Sequence, residues 1–336
     1  MTDEVTKTAT GTPSATGEEF RVMARIGLPP ADVKRLTQLS AAHGVWSVVQ
    51  ILLLIGAAVT AAILWWHPVI IVAAIIAVSA GQHALAVLSH EAGHYRLFDN
   101  RTLNDFVGVI SGMLIGVSNG CYRIVHRLHH NHLYEPNDPD LPLMAGYPRG
   151  KSYLAKKLAK DLLGLTAHKN YAYFFGAPAT SKDVDGKVRL LDDTSPRLRN
   201  AALRERWMVV AFHVTAPIVA FATGWGVEYL VLWVLPLLTV FQLLLRLRAV
   251  MEHGAPVDTT SPILASRTNF APWWLGWWLY PLHVNYHIEH HLYPSIPHYR
   301  LAECHHLLNQ QGALEGGQVM HIRETLGCIF ADRAVA

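Results

Sequence analysis

The chain has 336 residues, of which 51% are hydrophobic and only 16% charged, against roughly 25% charged in soluble globular domains. Its formal net charge of +3 is too small, and its basic residues too scattered, to mark a nucleic-acid binder. Low charge with long apolar runs argues against an ordinary soluble protein and predicts an integral membrane one.

Residues 1–40 are polar, and "TKTATGTPSATGEE" reads as a flexible tail. No cleavable signal sequence is recognisable there, so the first spanning segment is expected to act as its own insertion signal. Residues 44–66 carry no charge and are long enough as a helix to cross a bilayer of about 30 Å. Residues 68–89 repeat this after a tight "HP" link, with Pro68 placed where a helix start loses no hydrogen bond.

The run "FVGVISGMLIGVS" (106–118) is apolar but short, in the range of buried or re-entrant segments rather than full crossings. A second apolar pair follows at 207–224 and 227–245, so two membrane hairpins are expected. The hairpin tips carry almost no basic residues. The segment between the hairpins holds Arg123, Arg127, Lys151, Lys156, Lys157, Lys160, Lys182, Lys187, Arg189, Arg204 and Arg206. The positive-inside rule makes that segment cytoplasmic, together with both termini. "APWWLGWWLY" (271–280) suits an interfacial aromatic belt, or the wall of a lipid-substrate entrance. Residues 311–336 are expected as a C-terminal cytoplasmic tail. Cys121, Cys304 and Cys328 form no CxxC pair and suggest no disulfide framework.

Histidine is the anomaly, at 20 residues. His90 and His94 lie in "HEAGH", His126, His129, His130 and His132 in "HRLHHNH", His253 in "MEHG", and His287, His290 and His291 in "HIEHH". On a helix, positions three and four apart share a face, so HxxxH and HxxHH each project two or three imidazoles toward one point. At this histidine frequency an HxxHH arises by chance on the order of 0.07 times per chain, so two such clusters are not accidental. One zinc needs three or four protein ligands; the surplus suggests two metals. His283 and Asn285 precede the last cluster, and the other histidines (43, 67, 83, 168, 213, 298, 305, 306 and 321) read as packing or surface groups.

HxxxH, HxxHH and HxxHH around two membrane hairpins resemble the three histidine boxes of the membrane fatty acid desaturase/hydroxylase superfamily. "NYHIEHHLYPSIPHYRL" is similar to the C-terminal signature of its acyl-lipid desaturase branch. The resemblance covers roughly residues 45–310. It implies a non-haem di-iron centre held by His90, His94, His126, His129, His130, His287, His290 and His291, with His253 as a further ligand. It also implies O2 as co-substrate, a membrane lipid or other apolar substrate, and a separate donor, ferredoxin or cytochrome-type, with its reductase. The expected architecture is an all-α integral membrane protein of four spanning helices. A cytoplasmic helical cap, residues 90–206 and 246–310, would hold the di-iron site.

Imidazole suits iron, zinc and copper alike, so the resemblance, and not the histidine count, chooses iron. Ligating imidazoles need acceptors that fix tautomer and ring orientation. Glu91, Glu252, Glu289, Asp138 and Asp140 are candidates, with His132 as an extra imidazole. The first box is HxxxH, not the HxxxxH typical of acyl-CoA desaturases, which favours a substrate other than acyl-CoA. Where those enzymes place a water-holding asparagine this chain has Ala249; Asn285 is a candidate substitute. The expected reaction introduces a double bond into a fatty acyl or similar apolar chain. Alternatives are a hydroxylase or ketolase of the same superfamily, a membrane zinc peptidase built on HExxH with Glu91 as base, and a metal transporter or sensor. A peptidase leaves both HxxHH clusters unexplained. A transporter should bind near the membrane midplane, whereas these boxes lie beyond the helix ends.

Overall fold

A computed structural model describes residues 27–175 and 196–332. The expected tail therefore falls outside the described residues up to position 26, as do Lys182, Lys187 and Arg189.

A short helix, α1 (Pro30–Leu36), precedes the first hairpin, α2 (Ala41–Leu64) and α3 (Pro68–Gly93). At the tip His67 Nδ1 accepts the Val69 N–H at 3.3 Å, and Pro68 occupies the first turn, where its missing N–H costs nothing. Gly81 sets the spacing of the pair: a Cβ there would lie 2.3 Å from Ile55 Cγ1. Outward-facing Leu52, Leu53 and Leu64 are exposed, a surface suited to lipid and too apolar for water.

The chain then forms α4 (Arg101–Leu114) and α5 (Asn119–Asn131), bent by 98° at a break of at most four residues. The run 106–118 thus does not continue as one straight helix. A Cβ on Gly112 would meet the Val117 carbonyl at 2.7 Å, and Gly116 has φ of +80°, a conformation that favours glycine. After α6 (Lys151–Leu162) and α7 (Ala167–Phe174) comes the second hairpin, α8 (Pro196–Ala222) and α9 (Gly226–His253). A π-helical turn interrupts α9 at Leu230–Val234, and Gln82 Nε2 of α3 donates to the Trp233 carbonyl within it at 2.9 Å. All four long helices are apolar enough to span a membrane, and they run past the expected limits at the histidine-bearing end.

Beyond α9 lie β1 (Arg267–Phe270), α10 (Trp273–Leu279), α11 (His287–Leu292), α12 (Leu301–Gln310), β2 (Gln318–His321) and α13 (Ile322–Phe330). β1 and β2 pair in parallel, Arg267 opposite Gln318. The fold is mostly helical, and this two-stranded sheet is its departure from all-α. Neither expected tail is loose where it is described. Leu28 and Leu36 join Ile288, Ile296, Leu301 and Cys304 in one core. Ile322 and Ile329 pack with Leu244, Met251 and Leu279 in another. Both segments are short amphipathic stretches whose apolar faces gain stability only from these partners. A third core, with Leu85, Leu88, Ile115 and Phe241, ties α3 to α4 and α9.

Candidate metal centre

The ends of α3, α5 and α9 meet the start of α11. His90 lies in the last turn of α3 and His94 caps it; His129 and His130 close α5; His253 is the last residue of α9. Three helix C-termini, the negative ends of their dipoles, thus converge where cations would sit. The register of α5 is pinned from both sides. Asn119 Nδ2 donates to the Ser89 carbonyl of α3 at 2.7 Å, and Glu205 of α8 accepts the Gly120 N–H at 2.5 Å.

Two four-histidine groups result: His90, His94, His126 and His290, and beside them His129, His253, His287 and His291. Within each, one nitrogen per ring lies within 4.8 Å of all the others. In the first, Nε2 of His90 and His290 are 3.1 Å apart. His130 Nε2 is 3.0 Å from both His126 Nε2 and His290 Nε2, so His130 joins that group. In the second, His287 Nε2 lies 2.7 Å from His253 Nε2 and 3.2 Å from His291 Nε2. The groups abut where His130 stacks on His291 at 4.3 Å. All nine expected ligands are therefore brought together.

The donors fit metal ions. Ligands about 2.1 Å from one metal lie about 3.0–3.4 Å from each other, close to the spacings found. Burial, then mutual repulsion, pushes His126, His130, His287, His290 and His291 well below the ordinary imidazole value. Burial and neighbouring Arg96 bring His94 down to about 3. These rings are thus neutral, with lone pairs free for a cation. The buried His94 Nε2 has no hydrogen-bond partner and sits among the rings of His90, His126, His130 and His290.

Neighbouring side chains and one main-chain carbonyl orient the expected ligands. His129 Nδ1 donates to Asp138 Oδ1 at 3.0 Å; Asp140 is 3.5 Å away. At His129 burial acts downward, but Asp140 and Asp138 outweigh it and raise the pKa. Tyr122 Oη lies 3.0 Å from His90 Nδ1, and His253 Nδ1 donates to the Ala265 carbonyl at 3.1 Å. Sequence reasoning missed Tyr122 and Ala265, because no local pattern joins residues 32 and 12 positions apart.

The three glutamates divide. Glu91 accepts the His298 N–H at 3.1 Å. Glu289 accepts from Thr268 Oγ1 at 2.6 Å and His305 Nδ1 at 2.5 Å. These two fasten the box helices to neighbouring segments and orient no proposed ligand. Glu252 accepts from Arg248 Nε at 2.8 Å and lies 3.6 Å from His287 Nε2. His132 pairs outward with Glu135 at 2.8 Å. Asn285 borders a separate groove with Trp273, Trp277 and His298, so it does not stand in for the asparagine that Ala249 replaces. That groove, of about 620 Å³, runs beneath the tryptophan-rich stretch.

A cavity of about 100 Å³ adjoins the histidines. Val117, Leu143, Met144, Phe174 and Leu245 give it apolar walls, and Tyr122, His126, His129, Arg248, Glu252, His253 and His287 face it. The sequence model of the fatty acid desaturase family matches residues 64–323. The chain belongs to that family. The match takes in "HEAGH" together with both HxxHH clusters, so the peptidase reading of "HEAGH" loses its ground. Similar proteins include the dihydrorhizobitoxine desaturase of Bradyrhizobium elkanii, 25% identical over 68% of this chain and 64% of the relative. The acyl-lipid (8-3)-desaturase of Rebecca salina is 28% identical over 63% of this chain and 51% of its own length. The endoplasmic reticulum omega-3 fatty acid desaturase of Vigna radiata var. radiata is 26% identical over 66% and 60%. The chain spans between half and two thirds of these relatives' lengths.

Proposed function

We propose that this protein is an O2-dependent, di-iron desaturase that introduces a double bond into a fatty acyl or similar apolar chain. The observation that carries this is the pair of imidazole groups packed side by side next to a mostly apolar cavity. When bound, two irons supply the O2 activation that lets hydrogen be removed from unactivated C–H bonds.

The chain's own residues do the rest. Tyr122, Asp138 and the Ala265 carbonyl hold His90, His129 and His253 with Nδ1 engaged, leaving Nε2 for metal. Phe174, Leu245, Met144 and Val117 exclude water from the cavity and hold the reacting carbons beside His126, His129 and His287. Removing two hydrogens while reducing O2 to two waters takes two electrons and two protons from outside, so a separate ferredoxin or cytochrome-type donor with its reductase is required. The basic residues of the segment between the hairpins support a cytoplasmic site and cytoplasmic termini, with the donor approaching from that side.

The test is metal analysis with lipid and metabolite profiling of cells expressing the full chain under oxygen. Two irons per chain and a product two mass units lighter than its precursor are expected. A gain of one oxygen would replace desaturation by hydroxylation; stoichiometric zinc after anaerobic iron loading would overturn the di-iron centre.

A further inference from the structure

We propose that Glu252 is a tenth protein ligand, an oxygen donor to the second metal alongside His129, His253, His287 and His291. This rests on the metal-centre reading above. Glu252 is 3% exposed and precedes His253 at the end of α9. One turn back on the same helix, Arg248 Nε takes Glu252 Oε1 at 2.8 Å. That contact fixes the carboxylate plane and turns Oε2 toward His287 Nε2, 3.6 Å away.

The separation decides between two roles. At 3.6 Å the contact is no hydrogen bond, so Glu252 does not orient His287. The oxygen also faces Nε2, the atom that closes on His253 Nε2 and His291 Nε2, and not Nδ1, where a supporting acceptor belongs. Two donors sharing a metal stand about 3.0–3.4 Å apart, a few tenths of an ångström from the spacing found. Glu252 also faces the cavity together with His129, His253 and His287. Glu91, its counterpart beside the first group, does not border that cavity. Its Oε1 is farther from His90 Nε2, at 3.9 Å, and its Oε2 is engaged by the His298 N–H.

The two metals then differ. The first has five imidazoles and no anionic donor; the second has four imidazoles and one carboxylate. The added negative charge stabilises the more oxidised state of the second ion, so the pair is electronically unequal before substrate arrives. Arg248 is the positioning residue that aims the carboxylate.

The test uses the full chain in detergent, metal-free and reloaded with Co(II) or with iron, comparing wild type with Glu252→Gln and Glu252→Ala. In wild type two Co(II) ions bind. In Glu252→Ala, loss of one donor lowers the coordination number of one ion, so its visible ligand-field absorption strengthens while the other is unchanged. The second equivalent binds at least 10–100-fold more weakly, the range that loss of a supporting residue alone produces. Added acetate, small enough for the vacated volume, reverses the spectral change. Mössbauer spectra of the iron-loaded variants change for one site of two. Glu252→Gln keeps the Arg248 contact through its amide oxygen, so its spectrum separates ligation from folding. If wild type binds two ions and both variants give unaltered spectra, Glu252 is not a ligand, although the metal centre stands. If wild type binds no stoichiometric metal, the centre itself is refuted.

Discussion

Asp138 fixes the ring of the proposed ligand His129 through a network of accepted hydrogen bonds. It is 4% exposed and accepts three bonds: His129 Nδ1 at 3.0 Å, the Asp140 N–H at 2.9 Å and the Tyr134 N–H at 2.8 Å. Replacing it by asparagine keeps the shape but turns one acceptor into a donor. If the amide faces His129, the ring must accept at Nδ1 and carry its proton on Nε2, which removes it from the metal. If the amide faces Tyr134, two N–H groups collide, and losing one charge-assisted bond costs about 1.5–3 kcal/mol. Losing such an orienting partner weakens metal binding by about 10–100-fold, equivalent to about 1.4–2.8 kcal/mol. Competition titration of metal-free Asp138→Asn against a chelator, read by elemental analysis, should show that loss for one metal equivalent only. Asp140→Asn is the control. Its carboxylate lies 3.5 Å from the same nitrogen and already accepts from Tyr173, so its effect on affinity should be only a few-fold. Equal losses in both variants, or none in Asp138→Asn, would refute the assignment.

Tyr122→Phe removes the oxygen 3.0 Å from His90 Nδ1 while keeping the ring stacked on His126. It should leave the melting temperature nearly unchanged and weaken the first metal equivalent by about tenfold; unchanged metal affinity would exclude the role. Gly81→Ala forces a Cβ to within 2.3 Å of Ile55 Cγ1 and should destabilise by about 1–3 kcal/mol as overpacking, measured by thermal melting in detergent. Ile55→Ala should recover most of that, and failure to do so would place the strain elsewhere. Acidification should destabilise the metal-free protein. His94 is pushed down to about 3, so below the ordinary value of 6.5 the unfolded chain binds the proton first. Stability is complete above that value and falls as pH drops toward 3, so melting temperatures between pH 7.5 and 5 should decline. A melting temperature independent of pH across that range would contradict it.

The spans and the ligand types were legible because both rest on local periodicity. Uncharged runs of bilayer length read directly as crossings, and HxxxH or HxxHH on a helix places its imidazoles on one face whatever surrounds it. His253 stands alone in "MEHG", and its role as a further ligand rested on the resemblance; geometry supplied its partners at the end of α9. The glutamates were ambiguous for a related reason. Glu91, Glu252 and Glu289 each neighbour a proposed ligand in sequence, yet adjacent helix positions point apart. The β1–β2 pairing and the packing of Leu36, Ile322 and Ile329 were hidden for want of a long apolar run.

Composition and motif spacing by themselves determined that the chain carries runs apolar and long enough to cross a membrane and that its histidines recur at metal-ligand spacing, because hydropathy and helical period are properties of contiguous residues. Only the tertiary structure decided how nine histidines divide into two groups, that His130 joins the first, and that Asp138 and Tyr122 set ring orientations. Those outcomes depend on how the ends of α3, α5 and α9 meet α11. That is a long-range packing result, and no window of sequence contains it.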